Sequence, residues 1–95
     1  MAAKKMTVLE EAEGLVNGDR RGDYGPPEES FDMIGGFWAT YLGVEITRDD
    51  VAQMMVLLKL ARSRSAIARG NRPQRDSIVD ASGYLRCIEM MGPLT

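Results

Sequence analysis

The sequence predicts a single all-α domain over residues 1–95, built as a compact four-helix arrangement. Glycine and proline divide the chain into four segments, and each segment has apolar residues at helical spacing. No segment of any length alternates polar and apolar residues, which is the pattern of a half-buried strand. Because domains hold roughly 100–200 residues, a chain of 95 residues forms one domain with a shallow core.

The first two predicted helices flank a turn-rich loop. Thr7-x-x-Glu10 is a capping box that begins the first helix, which ends near Gly18. Residues 18–27 form the loop, and Pro27 suits the first turn of the second helix. One face of that second helix carries the residues that we expect in the core: Phe31, Ile34, Trp38, Tyr41 and Leu42.

The third predicted helix is the longest. Gly43 closes the second helix as a C-cap, and Thr47-x-x-Asp50 opens the third with another capping box. An apolar run follows, and the helix extends to Ala68. The alternative for residues 63–74 is a basic loop.

The fourth predicted helix runs from about Arg75 to Met91 and places two carboxylates on one face. Its apolar stripe consists of Ile78, Ala81, Leu85 and Ile88. Asp76 and Asp80 lie one turn apart on the opposite face, among small and apolar residues: Gly83, Tyr84, Cys87 and Met90. In one interpretation the pair binds Mg²⁺ or accepts hydrogen bonds from a ligand. In the other, Asp76 caps the helix and Asp80 pairs with an arginine.

Composition excludes several classes of protein. Without histidine, the chain has no Ser-His-Asp triad, no Cys-His pair and no histidine-ligated zinc. Its single cysteine, Cys87, rules out an intramolecular disulfide and a thiolate metal cluster. No stretch reaches the roughly 20 apolar residues of a membrane span, and the start of the chain does not read as a signal peptide. We therefore expect a cytoplasmic protein that does not associate with membranes.

The net charge of −2 hides an asymmetry between the two halves of the chain. Residues 1–50 carry 11 acids and 5 bases, hence −6, and residues 51–95 carry 3 acids and 7 bases, hence +4. One stretch without any acid holds six of the bases: Lys59, Arg62, Arg64, Arg69, Arg72 and Arg75. This split indicates an anionic ligand, or pairing of one half of the molecule with the other.

Lys59 and Arg62 follow the apolar run of the third helix, so we expect their charged heads at the edge of the core. An arginine in that position favours bidentate contact with a phosphate or a carboxylate. Arg62 against Asp80 is one such arrangement, and it would be purely structural. The whole chain is acidic and its aromatic residues do not interleave with its bases, which argues against duplex DNA as a partner.

The loop between the first two helices carries more chemistry than a connector needs. Its glycines permit unusual backbone angles and the close approach of a ligand. Arg20 and Arg21 can reach a phosphate, and Tyr24 offers a ring on which a base can stack. The alternative is that Asp19 and Asp23 form salt bridges with the loop arginines.

A string of short motifs spans about residues 8–90: Gly18-Asp19-Arg20, Asp23-Tyr24-Gly25, Phe31, Trp38, Leu42-Gly43, Ile46-Thr47, Asp50-Val51, Lys59, Ala61-Arg62, Arg75-Asp76, Asp80 and Gly83-Tyr84. In this string the chain resembles a family of small, mostly phage-encoded proteins known as a domain of unknown function. The resemblance implies no settled activity. Family members often have histidine after the Tyr-Gly pair, where this chain has Pro26, so any role of that histidine is absent here.

That family is similar in turn to the all-α nucleotide pyrophosphohydrolases of the MazG type, which hold Mg²⁺ with E-x-x-E on one helix and E-x-x-D on the next. Glu10 and Glu13 form an E-x-x-E pair here, a pattern also found on any solvated helix face. Asp76 and Asp80 depart from the second pair, because their spacing is one residue longer. One hypothesis is therefore a Mg²⁺-dependent nucleoside triphosphate hydrolase with these four carboxylates as metal ligands.

The hypothesis that we favour is a phage-type binding protein without a cofactor. It captures a phosphate-bearing nucleotide, or a nucleotide-derived immune signal, without turning it over. The predicted phosphate contacts are Arg20, Arg21, Lys59, Arg62 and Arg75. Tyr24 or Tyr84 stacks on the base, Asp80 accepts a hydrogen bond from base or ribose, and Asp23 and Asp76 complete the site. A structural adaptor without a small ligand is a third option.

The fourth helix is also the basis for predicting a homo-oligomer. Its residues are apolar or small on most of its circumference, so we expect it to contact a second copy of the chain. The basic stretch and the two aspartates then indicate one compact phosphate-binding pocket, which subunits of the oligomer can share.

Overall fold

The computed structural model describes residues 5–18 and 25–95, and this part of the chain contains four α-helices and no strand. The all-α class predicted from the sequence is therefore confirmed. In chain order the helices are α1 (Val8–Asn17), α2 (Pro27–Leu42), α3 (Arg48–Ala68) and α4 (Arg75–Met90).

Local side-chain chemistry sets the helix ends where the sequence predicts them. The Thr7 hydroxyl accepts a hydrogen bond from the Glu10 backbone N–H at 3.1 Å, and the Thr7 backbone N–H donates to the Glu10 carboxylate at 3.0 Å. Thr47 and Asp50 form the same reciprocal pair at the start of α3, at 3.1 and 2.9 Å. Gly43 ends α2 in the left-handed region, with φ of 73°. Both capping boxes and this C-cap are thus confirmed.

The basic stretch is helix for its first part and turn for its second. α3 ends at Ala68, and Gly70 follows it with φ of +84°, which turns the chain toward α4. The N-cap of α4 is Gln74, and no side chain caps this helix. The prediction that Asp76 is the N-cap is therefore wrong: Asp76 lies inside the first turn, where a carboxylate still complements the helix dipole.

The helices pack in the spatial order α1, α4, α3, α2. α4 contacts both α1 and α3, while α2 packs against α3. The core cluster sits where α2, α3 and α4 meet, and its members are Phe31, Val51, Ala52 and Cys87. The molecule measures 51 × 32 × 29 Å.

The expected core face of α2 is only partly covered. Phe31 is buried, and Ile34 and Trp38 pack against the core cluster. Tyr41, however, is 89% exposed, and Leu42 is also exposed, so their assignment to the core is wrong. The reason is that α2 packs mainly against α3, while contact with α4 is made near its start, at Phe31.

The stripe predicted for α4 is also shifted. Ala81 is buried as expected, but Leu85 is exposed. Val79, Gly83 and Cys87 are buried instead, because α4 lies between two helices and is covered on two sides. From Asp80 onward, the carboxylate-bearing face that the sequence singled out is therefore an interior face, whereas Asp76 at its start is exposed.

Candidate functional site

A cleft of about 410 Å³ opens between the helices, and each of the four contributes to its wall. Leu15 and Val16 of α1, Phe31 and Ile34 of α2 and Met55 of α3 supply an apolar lining. This volume lies within the roughly 300–1,000 Å³ that is common for small-molecule sites. The cleft can therefore accommodate a small organic ligand.

One charged pair stands in this largely apolar wall. The Lys59 ammonium of α3 lies 3.0 Å from a carboxylate oxygen of Asp80 on α4, and their side chains are only 13% and 18% exposed. The predicted structural pair of Arg62 with Asp80 is therefore wrong. Arg62 lies three residues after Lys59 on α3, which turns its side chain about 60° away from the cleft. The cleft thus holds a shielded cation beside a shielded hydrogen-bond acceptor.

Aromatic rings and small residues shape the wall near this pair. The rings of Phe31 and Tyr84 lie with their centroids 6.0 Å apart and their planes tilted by 35°. Gly83 lies close to α1: a Cβ atom added there would lie 3.4 Å from a methyl group of Val16. Ser30 adds a hydroxyl to the lining. The structure thus brings Lys59, Asp80 and Tyr84 together, as a ligand-binding cleft requires.

Other predicted site residues lie elsewhere. Arg75 contacts a carboxylate oxygen of Glu11 at 2.9 Å and donates to the backbone carbonyl of Met6 at 3.1 Å. Arg62 lines a different cavity, near the end of α3. Asp76 is exposed in the first turn of α4 and does not line the cleft. The predicted phosphate contacts on α3 and α4 therefore do not converge on one pocket.

The four carboxylates of the hydrolase hypothesis are not brought together in the described part of the chain. Glu10 takes part in the capping box with Thr7, and the backbone hydrogen bond from Thr7 lowers the pKa of Glu10. Glu13 lies 2.7 Å from Arg86, and the hydrogen bond from that guanidinium lowers the pKa of Glu13. Within residues 5–18 and 25–95, no group of three or more acidic, cysteine or histidine side chains is placed to hold a metal ion.

Four predicted residues of the loop fall outside the described ranges: Arg20, Arg21, Asp23 and Tyr24. Gly25 and Pro27, which follow them in the chain, line the cleft. Gly25 has φ of +74°, a conformation that favours glycine. The described end of the loop is thus part of the cleft wall.

Sequence reasoning missed some of the lining. The sequence pattern predicts a core position for Phe31, and this residue also forms part of the cleft wall. Ser30 carries no distinctive signal, because serine is common in the first turns of a helix. The signal available in the sequence was the position of Ser30 next to Phe31, on the edge of the apolar stripe of α2.

Among the described residues, no helix is both long and apolar enough to cross a bilayer.

Comparisons with known proteins identify relatives but no described activity. The sequence profile of a domain of unknown function, DUF6378, matches residues 7–92. The chain is 41% identical over 83 residues to the Gene 55 protein of Mycobacterium phage D29, covering 87% of this chain and 52% of the relative. It is also 41% identical over 87 residues to the Gene 55 protein of Mycobacterium phage L5, covering 90% and 53%. The chain thus spans about half the length of these curated relatives, and no solved structure matches it.

Proposed function

The chain belongs to the DUF6378 family, and we propose that it binds a phosphate-bearing nucleotide, or a nucleotide-derived immune signal, in the cleft between its helices. It captures this ligand without turning it over, in the manner of a phage anti-defence sponge. The observation that carries the proposal is the Lys59–Asp80 ion pair, which is largely shielded from water in the wall of an otherwise mainly apolar cleft.

The energetics of such a pair support a role in binding. Removing two charges from water costs several kcal/mol per ion, and apolar residues of similar volume often serve a structural position equally well. At the wall of a cleft the same two groups have a use. Lys59 offers a cation to a phosphate group, and Asp80 accepts a hydrogen bond from an N–H of a base or an O–H of a ribose.

The remaining lining supports a ligand with a flat ring. Tyr84 and Phe31 present aromatic surface to the cleft, on which a base can stack. Arg20 and Arg21 keep the role of phosphate contacts that the sequence predicts, and Tyr24 keeps that of a stacking partner. Arg62 and Arg75 are not part of this proposal. Arg62 lines another cavity, and Arg75 pairs with Glu11.

A thermal-shift screen against nucleotides and cyclic nucleotides tests binding directly, because a ligand that binds the native state raises its melting temperature. We expect at least one nucleotide to stabilise the wild-type chain. Lys59→Met and Asp80→Asn should lose that shift, whereas the exposed control variants Lys5→Met and Asp49→Asn should keep it. If no member of the panel shifts the wild-type melting temperature, the proposal is wrong.

Capture is separated from turnover by recovering the ligand. After incubation with and without Mg²⁺, the protein is denatured and the released nucleotide is analysed by chromatography. We expect intact nucleotide under both conditions. If the wild-type chain forms a hydrolysis product and the Asp80→Asn variant does not, the capture proposal is wrong. The chain would then act as a pyrophosphohydrolase of the MazG type.

We also propose a homo-oligomer, formed through the outward face of α2 rather than through α4. Within one chain, α1 and α3 cover much of the apolar surface of α4, although Leu85 remains exposed. On α2, Met33, Phe37 and Tyr41 are 64%, 70% and 89% exposed and follow one another at intervals of four residues, so they form a single stripe. An uncharged stripe along one helix can pair with its own copy about a two-fold axis, the commonest symmetry of protein oligomers.

Light scattering at micromolar concentration tests this oligomer. We expect the mass of a dimer or larger for the wild-type chain and the mass of a monomer for a Phe37→Ser, Tyr41→Ser double variant. Leu85→Ser removes an exposed apolar side chain from α4 and should leave the mass unchanged. A monomeric wild-type chain would refute the oligomer.

A further inference from the structure

We propose that the protein carries a second anion site at the corner between α3 and α4, suited to a chain of phosphate groups. A surface cavity of about 310 Å³ lies at this corner, and three arginines line it: Arg62, Arg69 and Arg72. It shares no lining residue with the cleft that holds Lys59 and Asp80. The site therefore goes beyond the proposed function and does not depend on it.

The three arginines have no carboxylate partner within residues 5–18 and 25–95. Three other arginines of this part of the chain each contact a carboxylate: Arg48, Arg75 and Arg86. The acidic residue nearest to the cavity in sequence, Asp76, forms no ion pair with the corner arginines. Three arginines thus line one cavity without a carboxylate partner in the described ranges, and clustered guanidinium groups are groups that oxyanions bind.

Helix electrostatics do not account for this cluster. A cation at the last turn of a helix stabilises its dipole, and this explains Arg69, the C-cap residue of α3. It does not explain Arg62, about two turns earlier, or Arg72, which lies beyond the end of the helix. α4 begins at the same corner, and its N-cap residue Gln74 makes no side-chain cap hydrogen bond, so its first backbone N–H groups remain without a side-chain cap.

The lining identifies the class of ligand. The neutral lining residues are Ser65, Ala66, Asn71 and Gln74, and none of the lining residues is aromatic. A site without a ring surface does not select a base by stacking, so the recognised group is the phosphate chain itself. Three guanidinium groups match two or more linked phosphates. Such a chain is offered both by a free polyphosphate and by the backbone of a single-stranded nucleic acid.

Two probes applied to the full chain test the site and separate these sources. Inorganic tripolyphosphate is titrated by calorimetry, and a fluorescent oligothymidylate is followed by anisotropy at salt concentrations from about 50 to about 200 mM. We expect Arg69→Ala to weaken binding about tenfold, the effect of one lost charge-assisted contact. The Arg62→Ala, Arg69→Ala, Arg72→Ala triple variant should abolish it. Arg64→Ala removes the same charge as Arg69→Ala from an exposed position of α3 outside the cavity, and should change affinity less than about twofold.

The outcomes separate this site from the cleft. Binding of tripolyphosphate identifies a free phosphate chain as a ligand, and binding of the oligonucleotide identifies a strand. Arg69→Ala should leave the thermal shift given by a nucleotide in the cleft unchanged, since Arg69 does not line the cleft. If Arg64→Ala and Arg69→Ala lose the same affinity, the effect is one of net charge and the proposed site is wrong. The proposal is also wrong if the wild-type chain binds neither probe at low salt. Circular dichroism checks that each variant remains folded.

Discussion

α2 and α4 are both 16 residues long, yet they occupy opposite environments. α4 lies between α1 and α3 and buries five residues, whereas α2 packs on α3 and buries two. Each of the two helices holds eight apolar or aromatic residues, yet α2 leaves a phenylalanine and a tyrosine in solvent. The number of neighbouring helices, and not the apolar content of a helix, thus decides how much of it is buried.

The two phenylalanines of the chain offer the sharpest test of this difference, because both lie on α2. Phe31 is 7% exposed and Phe37 is 70% exposed. We expect Phe31→Ala to lower the free energy of unfolding by about 3–5 kcal/mol, the usual cost of truncating a buried aromatic residue. Phe37→Ala should change the stability of the monomer by less than about 0.5 kcal/mol. Urea denaturation of both variants measures the two values.

Protein concentration separates this monomer effect from self-association. If a second copy covers α2, Phe37→Ala lowers stability at high protein concentration and has no effect at low concentration. If Phe37→Ala and Phe31→Ala lower the free energy of unfolding equally at every protein concentration, the exposure of Phe37 is contradicted.

Replacing either of two adjacent glycines of α2 by alanine should change the free energy of unfolding, with opposite signs at the two positions. A Cβ atom on Gly35 would lie 2.7 Å from the backbone oxygen of Ile46 and 3.3 Å from a methyl group of Val51, whereas one on Gly36 would meet nothing within 4 Å. Gly35→Ala should therefore cost about 1–3 kcal/mol through overpacking. Gly36→Ala should raise the free energy of unfolding by about 0.5–1 kcal/mol, because alanine is more stable than glycine inside a helix. Thermal unfolding that shows the same sign for both would contradict the close packing of Gly35 against Ile46 and Val51.

The smallest expected effect concerns the ion pair that joins α1 to α4. The hydrogen bond from Arg86 lowers the pKa of Glu13 from its ordinary value of 4.5 in the folded chain. A lowered folded pKa gives stability that is present above the ordinary value and is lost as the pH falls through the lowered one. Wild-type and Glu13→Gln chains should therefore differ in stability near neutral pH and converge in acid. Glu45→Gln serves as an exposed control, and a constant difference at all pH values would count against this assignment.

The sequence predicts helix ends well, because they depend on residues close together in the chain. Thr7 with Glu10 and Thr47 with Asp50 form the capping boxes that their spacing indicates. Gly43 is a left-handed C-cap because its backbone angle suits glycine. The interior face of α4 could also be predicted, since Asp80 stands there among small and apolar residues.

Contacts between helices could not be predicted in the same way. Whether Asp80 pairs with Lys59 or Arg62 depends on the rotation of α3 about its axis, and both residues lie within one turn of that helix. The exposure of Tyr41 depends on which helices surround α2, and no local pattern carries that information. The separation of Arg62 and Arg75 from Lys59 likewise arises only when α3 and α4 are packed together.

The central claim is that Lys59 and Asp80 bind a nucleotide in the cleft. It is tested most directly by calorimetric titration of the nucleotide that gives the largest thermal shift into four chains: wild type, Lys59→Met, Asp80→Asn and Lys5→Met. We expect binding to be about tenfold or more weaker in each of the two cleft variants, since each loses a charge-assisted contact. Lys5→Met should bind like the wild type. Equal affinities in all four chains would contradict the claim.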